Sequence, residues 1–356
     1  MPALPEPTDA DVARVLAAYP ALERPRARPM SGGLINRTFA VEDPAGAFVL
    51  QRINPIFDPV MHHNIEAVTR RLRDRGLVTP TLLPTRAGAL WFELPGGGAW
   101  RLMTRVPGRS FDVIESPAQA RSAGALVARF HSALHGLEHS FRGLRVGVHD
   151  TAKHLEVLAR ALARHREHPL RAEVEALAHD IRGALATLPE HAGLPTRIAH
   201  GDLKFSNVLF AGERGPARVQ AICLVDLDTL APMPLHHELG DAWRSWCNVG
   251  GEDGRARFDL EIFAASLEGY VDALAVPLRD EERAALLHGV EWICLELAAR
   301  FAADALNESY FGWDRQRYAR AGDHNLARAR GQRELAREVV ATRRERAALL
   351  GVDADA

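Results

Sequence analysis

The residues best suited to chemistry stand in one stretch, His200-Gly201-Asp202-Leu203-Lys204-Phe205-Ser206-Asn207. Val208-Leu209-Phe210 and a turn follow, then the apolar run Ala221-Ile222-Cys223-Leu224-Val225, which ends in Asp226-Leu227-Asp228. His-x-Asp-x4-Asn on a loop between strands sets one carboxylate and one amide side by side in a cleft, with a second carboxylate at the end of a neighbouring strand. Phosphoryl transfer from a nucleotide needs this set. One aspartate orients the attacking hydroxyl and accepts its proton; an amide oxygen and another aspartate hold Mg2+ against the phosphates. The spacing alone also suits a loop closed by an Asx-turn, and Asp226 or Asp228 alone suits the cap of a following turn. The flanking strands, the paired terminal carboxylates and Lys204 together favour the phosphoryl-transfer reading. Lys204 and Lys153 are the only lysines in the chain, against 42 arginines.

Two textures of sequence must position these residues. From Arg26 to Arg105 the chain reads as strands and turns after a short helix capped at Thr8. Ser31-Gly32-Gly33 is a tight turn, residues 36–41 and 48–53 alternate as strands, and Asp43-Pro44-Ala45-Gly46 turns between them. Residues 59–74 carry apolar side chains at helical spacing (Val60, Ile65, Val68, Leu72) and stop at Gly76. Residues 89–94 and 100–106 form a hairpin across Pro95-Gly96-Gly97-Gly98. Beyond Pro107-Gly108, residues 117–134, 151–165 and 170–188 are helical, a β-rich insert spans 197–225, and helices resume at His236. The expectation is an α+β, two-lobed chain: residues 1–107 a small β-sheet lobe with one helix, residues 108–356 a larger, mainly helical lobe.

The 356 residues contain 47% apolar and 25% charged side chains, which excludes large-scale disorder. A net charge of −2 with a pI near 6.8 argues against nucleic acid as the partner, since phosphate binding needs a basic surface. Cys223, Cys247 and Cys294 form no CxxC pair, so neither a disulfide framework nor a zinc site is expected. The N-terminus lacks a secretory signal pattern, and no apolar run approaches the roughly 18–20 residues of a membrane span. A soluble, cytoplasmic protein is expected, with no membrane partner and a monomeric or weakly self-associating state. The alternation of arginines with Glu334, Glu338 and Glu345 between Arg328 and Arg346 reads as a solvated helix face.

On the stretch from His200 to Asp228 the chain resembles the aminoglycoside phosphotransferase and choline kinase superfamily, whose fold is two-lobed and protein-kinase-like. Within it, the chain is most similar to the N-acetylhexosamine 1-kinases. That narrower likeness runs through Gly33-Leu34-Ile35-Asn36-Arg37-Thr38, Val49-Leu50-Gln51-Arg52-Ile53-Asn54, Asn64-Ile65-Glu66-Ala67-Val68-Thr69 and His149-Asp150-Thr151. It continues at Gly240-Asp241 with Arg244, Arg300-Phe301-Ala302-Ala303-Asp304, Tyr310-Phe311 and His324-Asn325-Leu326. The resemblance implies Asp202 as catalytic base, Lys204 as the cation beside the transferring phosphate, and Asn207 and Asp226 as Mg2+ ligands. It implies a nucleotide-covering turn with Gly32, Gly33, Asn36 and Thr38, and a hinge for adenine at Met103, Thr104 and Arg105. It places Asp228, Arg300 and Tyr310 against the acceptor and Asp241 as an anchor of the catalytic loop. Arg300 also suits an internal ion pair with Glu296 or Asp304, each four residues away.

The implied activity is ATP- and Mg2+-dependent phosphorylation of the anomeric hydroxyl of an N-acetylhexosamine. The alternatives are another hydroxyl acceptor (a different sugar, an aminoglycoside, a choline-like amino alcohol) or a nucleotide-binding pseudokinase. A scaffold would have no need of Asp202, Asn207 and Asp226 together. One departure concerns the third strand, where protein kinases keep a lysine paired to a helix glutamate. Here the first lobe has no lysine; Gln51 shares a face with Val49 and stands where that lysine would meet the nucleotide, Glu66 lies on the following helix on the same nucleotide side, and Arg52 points to the opposite face unless a bulge shifts the register. Other motifs fail: GxxxxGK[ST], GxSxG and a strand-following GxGxxG are absent, and His237-Glu238-Leu239-Gly240-Asp241 lacks the second histidine of HExxH.

Overall fold

Thr8 opens the first helix as the sequence predicts. Its hydroxyl accepts the Asp11 N–H while the Asp11 carboxylate accepts the Thr8 N–H, satisfying two donors the first turn leaves over. The structure, a computed structural model, describes residues 5–30, 35–145, 147–212, 219–251, 255–309 and 313–354. The chain divides into two units: Met1–Gly108 with Ala133–Arg145 and Ile222–Ala231, and Arg109–Ser132 with Val146–Ala221 and Pro232–Ala356.

The first unit is built on one antiparallel sheet, taken in the order β1 (Arg26–Pro29), β2 (Arg37–Asp43), β3 (Gly46–Arg52), β5 (Gly98–Thr104), β4 (Phe92–Leu94). Strand alternation gives the sheet two different faces. Phe48 and Leu50 of β3, with Val41, Trp100 and Leu102, pack against Val12, Val15 and Leu16 of α1 (Asp9–Leu16). The opposite face of β3 carries Val49 and Gln51, and Gln51 lies between Thr38 on β2 and Arg101 on β5. The helix expected over 59–74 starts as a single 3₁₀ turn, Pro59–Met61, because the Asp58 carboxylate accepts the Val60 N–H; α2 proper is His62–Asp74. The segment 81–83, to which the sequence assigns no element, pairs with the β5 edge that β4 leaves open: Leu83 N–H reaches Leu102 O at 2.9 Å.

The second unit is mainly helical: α3 (Pro117–Leu134, its last residues in the first unit), α4 (Thr151–Arg164), α5 (Arg171–Leu185), α6 (Leu235–Trp246), α7 (Leu260–Ala273), α8 (Asp280–Asn307), α9 (Ala321–Ala341) and α10 (Arg343–Leu350). Short strands β6 (Thr196–Ala199), β7 (Val208–Phe210), β8 (Ala221–Leu224) and β9 (Ala231–Pro234) fall between α5 and α6, β8 and β9 each crossing from one unit to the other along the chain. At 28 residues, α8 is about 42 Å long and buried along most of its length. α6 crosses it where neither helix has a side chain: a Cβ on Gly240 would lie 2.6 Å from Gly289 O, and one on Gly289 would lie 2.5 Å from His236 O. Among the described residues no helix is long and apolar enough to cross a membrane.

The arginine-rich end departs from its sequence reading. Glu334, Glu338 and Glu345 are exposed, but Arg328 and Arg346 are buried. Arg346 donates to the Glu291 carboxylate on α8 at 2.8 Å and to Val339 O at 3.0 Å. The face is a solvated one with two inward exceptions, whose partners include a carboxylate far away in sequence.

Candidate active site

The stretch from His200 to Asn207 is a loop leaving β6, and its backbone is held by α6. Glu238, 1% exposed, accepts the His200 N–H at 2.7 Å on one oxygen and the Gly201 N–H at 2.9 Å on the other. Gly201 takes a left-handed conformation (φ 80°) that a side chain would strain. Further along α6, Trp246 Nε1 donates to Leu203 O at 2.7 Å and Ser245 Oγ accepts the Phe205 N–H at 3.2 Å. Behind Glu238 stands His131 at 3.4 Å, whose other ring nitrogen meets the Tyr270 hydroxyl at 2.9 Å. Burial works to raise the Glu238 carboxyl, but the hydrogen bond from His131, the charges of His131 and His200 and the Gly201 N–H hold it below the usual range. Asp241, expected as the anchor, instead accepts both Nε and Nη2 of Arg244, at 3.0 and 2.9 Å. One turn of helix decides this: Glu238, Ser245 and Trp246 share a face of α6. Their i, i+7, i+8 spacing was the signal available in the sequence.

With its backbone fixed, the loop leaves its functional side chains accessible. Asp202 is about one-third exposed (32%), and its Oδ2 accepts Lys204 Nζ at 2.9 Å and Asn207 Nδ2 at 3.3 Å. Among the described residues Asp202 Oδ1 has no protein donor, so it is the oxygen open to a substrate proton. Asn207 also donates Nδ2 to Asp202 O at 2.8 Å. Both bonds use its nitrogen, so among the described residues the amide oxygen is left as an acceptor suited to a hard cation.

In the first unit, β8 leads to Asp226 in the left-handed region (φ 67°, ψ 58°), followed by a 3₁₀ turn, Leu227–Thr229. A carboxylate fits Mg2+, and Asp is among the non-glycine residues that tolerate this backbone. Among the described residues no group of three or more His, Cys, Asp or Glu side chains is arranged to hold a metal. The Asn207 amide oxygen and the Asp226 carboxylate are oxygen donors of the kind Mg2+ takes.

Asp228, expected against the acceptor, is buried among protein partners. Its side chain is 2% exposed; Oδ2 accepts Asn36 Nδ2 at 2.7 Å and Oδ1 forms an ion pair with Arg101. Arg101 in turn gives Nε and Nη2 to Gln51 Oε1 at 2.9 and 2.7 Å, and Gln51 Nε2 reaches Thr38 Oγ1 at 3.0 Å. Asn36 Oδ1 accepts the Asn54 N–H at 2.9 Å. The amides of Asn36 and Gln51, expected to meet the nucleotide, are thus occupied inside the unit, and Thr38 joins the same network. Arg52 points to the other face, where it donates to Pro5 O. Glu66 is half-buried on α2, and among the described residues its carboxylate has no protein partner. At the expected hinge, Met103 pairs with Val49, while the N–H groups of Thr104 and Arg105 bond Thr81 O at 2.9 Å and Ala47 O at 3.0 Å. Those two amides are spent within the sheet because segment 81–83 and β3 cover both edges of β5. Arg101 is the residue the sequence reading missed; its buried partner lies 127 positions away.

Arg300 is half-buried on α8. Neither expected ion pair forms among the described residues: Glu296 accepts His149 at 3.1 Å and Thr151 at 2.8 Å, and Asp304 takes the Ser309 hydroxyl at 2.9 Å. Burial raises the Asp304 carboxyl, opposed by Ser309 and the charge of Arg300. Gly32, Gly33 and Tyr310 lie outside the described residues.

Residues 26–289 match the family model described as APH, phosphotransferase enzyme family. Among curated proteins the chain is similar to the homoserine kinase of Sinorhizobium fredii (strain NBRC 101917 / NGR234), 28% identical over 251 residues, which cover 67% of this chain and 69% of that protein. It is likewise similar to the homoserine kinase of Sinorhizobium medicae (strain WSM419), 28% identical over 291 residues, 79% of this chain and 80% of the relative. Among solved structures, an amicoumacin kinase in complex with AMP-PNP, Ca2+ and Ami superposes with a TM-score of 0.64 at 14% identity, covering 92% of this chain and 93% of that one. A microcompartment-associated aminopropanol kinase gives 0.60 at 18% identity, covering 94% and 98%. At these identities the solved structures establish the kinase-like fold.

Proposed function

Because the chain belongs to the phosphotransferase enzyme family, we propose that it is an ATP- and Mg2+-dependent kinase acting on a hydroxyl of a small acceptor, with the anomeric hydroxyl of an N-acetylhexosamine as first choice. The observation that carries the kinase reading is the Asp202 carboxylate, with one oxygen tethered by Lys204 and Asn207 and the other open. The acceptor hydroxyl gives its proton to Oδ1 as its oxygen bonds the γ-phosphorus; the bond from that phosphorus to the bridging oxygen breaks, and ADP leaves with the electron pair. Lys204, within reach of the same carboxylate, stabilises negative charge on the transferring group. Asn207 and Asp226 are the residues that would hold Mg2+, which when bound neutralises charge on the phosphates. Met103 to Arg105 remain the proposed hinge, through groups other than the amides of Thr104 and Arg105, and Glu66 remains a candidate on the nucleotide side.

The sugar reading rests on the motif likeness and on Arg300, a cation with no ion pair among the described residues, which can donate to an acetamido carbonyl. An anomeric hydroxyl is more acidic than other sugar hydroxyls, so a single aspartate suffices to activate it. The second reading, a hydroxyl on an amino acid or amino alcohol, is supported by the homoserine kinases that align over 67–79% of this chain and by the protein partners that occupy Asp228, one of the three residues expected on the sugar. One experiment separates them. ATP consumption is followed with N-acetylglucosamine, N-acetylgalactosamine, glucose, galactose, homoserine and 1-amino-2-propanol, alongside a reducing-sugar assay. The expected outcome is consumption of the N-acetylhexosamines at least about tenfold faster than of the parent sugars, with loss of the reducing end, because a site built to hydrogen-bond the amide rejects sugars that lack it. Turnover with homoserine alone moves the assignment to the second reading. No ATP-dependent transfer to any hydroxyl compound, including aminoglycosides, ends the kinase reading.

A further inference from the structure

The unit that carries Asp226 contains no lysine; Arg101, its most deeply buried arginine among the described residues, stands across the ladder from Gln51 with its side chain 1% exposed. Its partner Asp228 lies two residues beyond Asp226, within the 3₁₀ turn that follows it. Asp226 itself holds a backbone conformation with no intrinsic preference for a residue bearing a side chain, so its neighbours must impose it. On one side β8 does so. On the other, the turn is fixed through the Asp228 carboxylate, which meets β5 through Arg101 and the start of β2 through Asn36. Through Arg101 the same pair is tied to Gln51 on β3 and Thr38 on β2.

We propose that Arg101 and Asp228 are positioning residues: a buried ion pair, seated on the polar face of the sheet, that sets the direction in which Asp226 presents its carboxylate to the metal–nucleotide complex. The inference rests on the kinase reading and assigns neither residue to the acceptor. A buried pair contributes little net stability but leaves a costly lone charge when half of it is removed, so it enforces one geometry. Every polar atom around it is committed to protein partners from three strands and a turn. The pair fixes an arrangement: both oxygens of Asp228 and all three nitrogens of Arg101 have protein partners.

The test uses the full chain with Mn2+ and AMP-PNP as probes, so that binding is read without turnover. Mn2+ binding in the ternary complex is followed by electron paramagnetic resonance, AMP-PNP binding without metal by calorimetry, and folding by thermal melting. The variants are Asp228→Asn, Arg101→Met and the double variant Arg101→Met/Asp228→Asn, which leaves no lone buried charge and so keeps the fold available. Each should weaken Mn2+ binding at least tenfold, while metal-free AMP-PNP affinity and the acceptor KM stay within twofold. The double variant should melt above Arg101→Met without regaining Mn2+ affinity. A folded double variant that binds Mn2+ within twofold of the parent overturns the proposal. So does an Asp228→Asn variant whose acceptor KM rises while Mn2+ binding holds, since Asp228 would then be an acceptor contact. If the unmodified chain binds no Mn2+–AMP-PNP, the kinase reading itself fails.

Discussion

In the larger unit, Glu238 holds the catalytic loop by its backbone; in the smaller one, Asp228 holds the metal-motif turn by its own side chain. Glu238 comes from outside the motif it serves. It takes two backbone N–H groups, and the loop's side chains Asp202 and Lys204 stay about one-third and two-fifths exposed (32% and 42%). Asp228 belongs to its motif and is consumed in anchoring it. The difference teaches that a carboxylate's place in a motif does not say whether it acts on a ligand or on the motif. What decides is whether another residue already performs the anchoring. The loop from His200 to Asn207 borrows its anchor from α6 and leaves its one acid, Asp202, partly exposed; the Asp226 turn is held through one of its own two acids.

The comparison breaks most sharply at Asp202. Asp202→Asn keeps the shape and the tether to the loop but removes the proton acceptor, so kcat should fall by roughly 10²-fold or more while ATP affinity stays within about twofold. Near-normal turnover would mean that the exposed carboxylate of the larger unit is also structural, and the contrast with Asp228 would vanish.

A smaller effect sharpens the contrast from the anchoring side. Glu238→Gln retains one acceptor oxygen for two N–H groups and sets an amide NH2 against the other. Leaving a buried donor unsatisfied costs about 1–3 kcal/mol, and the slackened loop should lose about tenfold in kcat. Metal–nucleotide affinity should fall less than kcat, because Glu238 holds His200 and Gly201 beside Asp202 while Asn207 lies at the far end of the loop; for Asp228→Asn metal affinity is the quantity expected to fall. Steady-state kinetics paired with Mn2+ titration reads both quantities. A loss of metal affinity in Glu238→Gln as large as the loss in kcat would show that Glu238 positions Asn207 as much as Asp202.

Much of the molecule was legible because the signals were local. Thr8 with Asp11, the alternation through β3 and the bounds of α3 follow from capping and periodicity, and the separation of Gln51 from Arg52 follows from the two-residue repeat of a strand. The order Asp202, Lys204, Asn207 was legible because those residues lie within one loop and hydrogen-bond each other. What escaped depends on partners distant in sequence. Arg101 looks like any strand arginine until Asp228 is brought to it; Arg346 looks solvated until Glu291 arrives from α8. Glu238 was hidden in a stretch that resembles a failed metal motif, and Asp241 was preferred one turn too late. The pairing of segment 81–83 with β5, which occupies the Thr104 amide, has no periodic signature at all.

Histidines distinguish the two units once more, by the smallest effect expected here. Burial pushes His236 down to about 3 and His237 to about 4 in the larger unit, assisted by neighbouring His149 and His191, with Glu296 opposing at His237. In the smaller unit burial, with the charge of Arg101, pushes His62 down to about 4, against the Pro59 carbonyl and Asp228. A histidine whose folded pKa lies below the unfolded value of about 6.5 contributes stability that is whole above pH 6.5. That stability is lost as pH falls toward the folded value, because the unfolded chain takes up the proton first. Between pH 7 and 5.5 the loss should be on the order of 1 kcal/mol per histidine, hence about twice as large from His236 and His237 as from His62. The depressed Glu238 carboxyl adds to acid sensitivity only below the carboxylate range, so this window isolates the imidazoles. Urea denaturation at pH 7.0, 6.25 and 5.5 should show the decline, flattened more by His236→Gln with His237→Gln than by His62→Gln. A stability that stays level across the window would mean the imidazoles are solvated or already charged in the folded protein, and the buried histidine row between α6 and its neighbours would have to be redrawn.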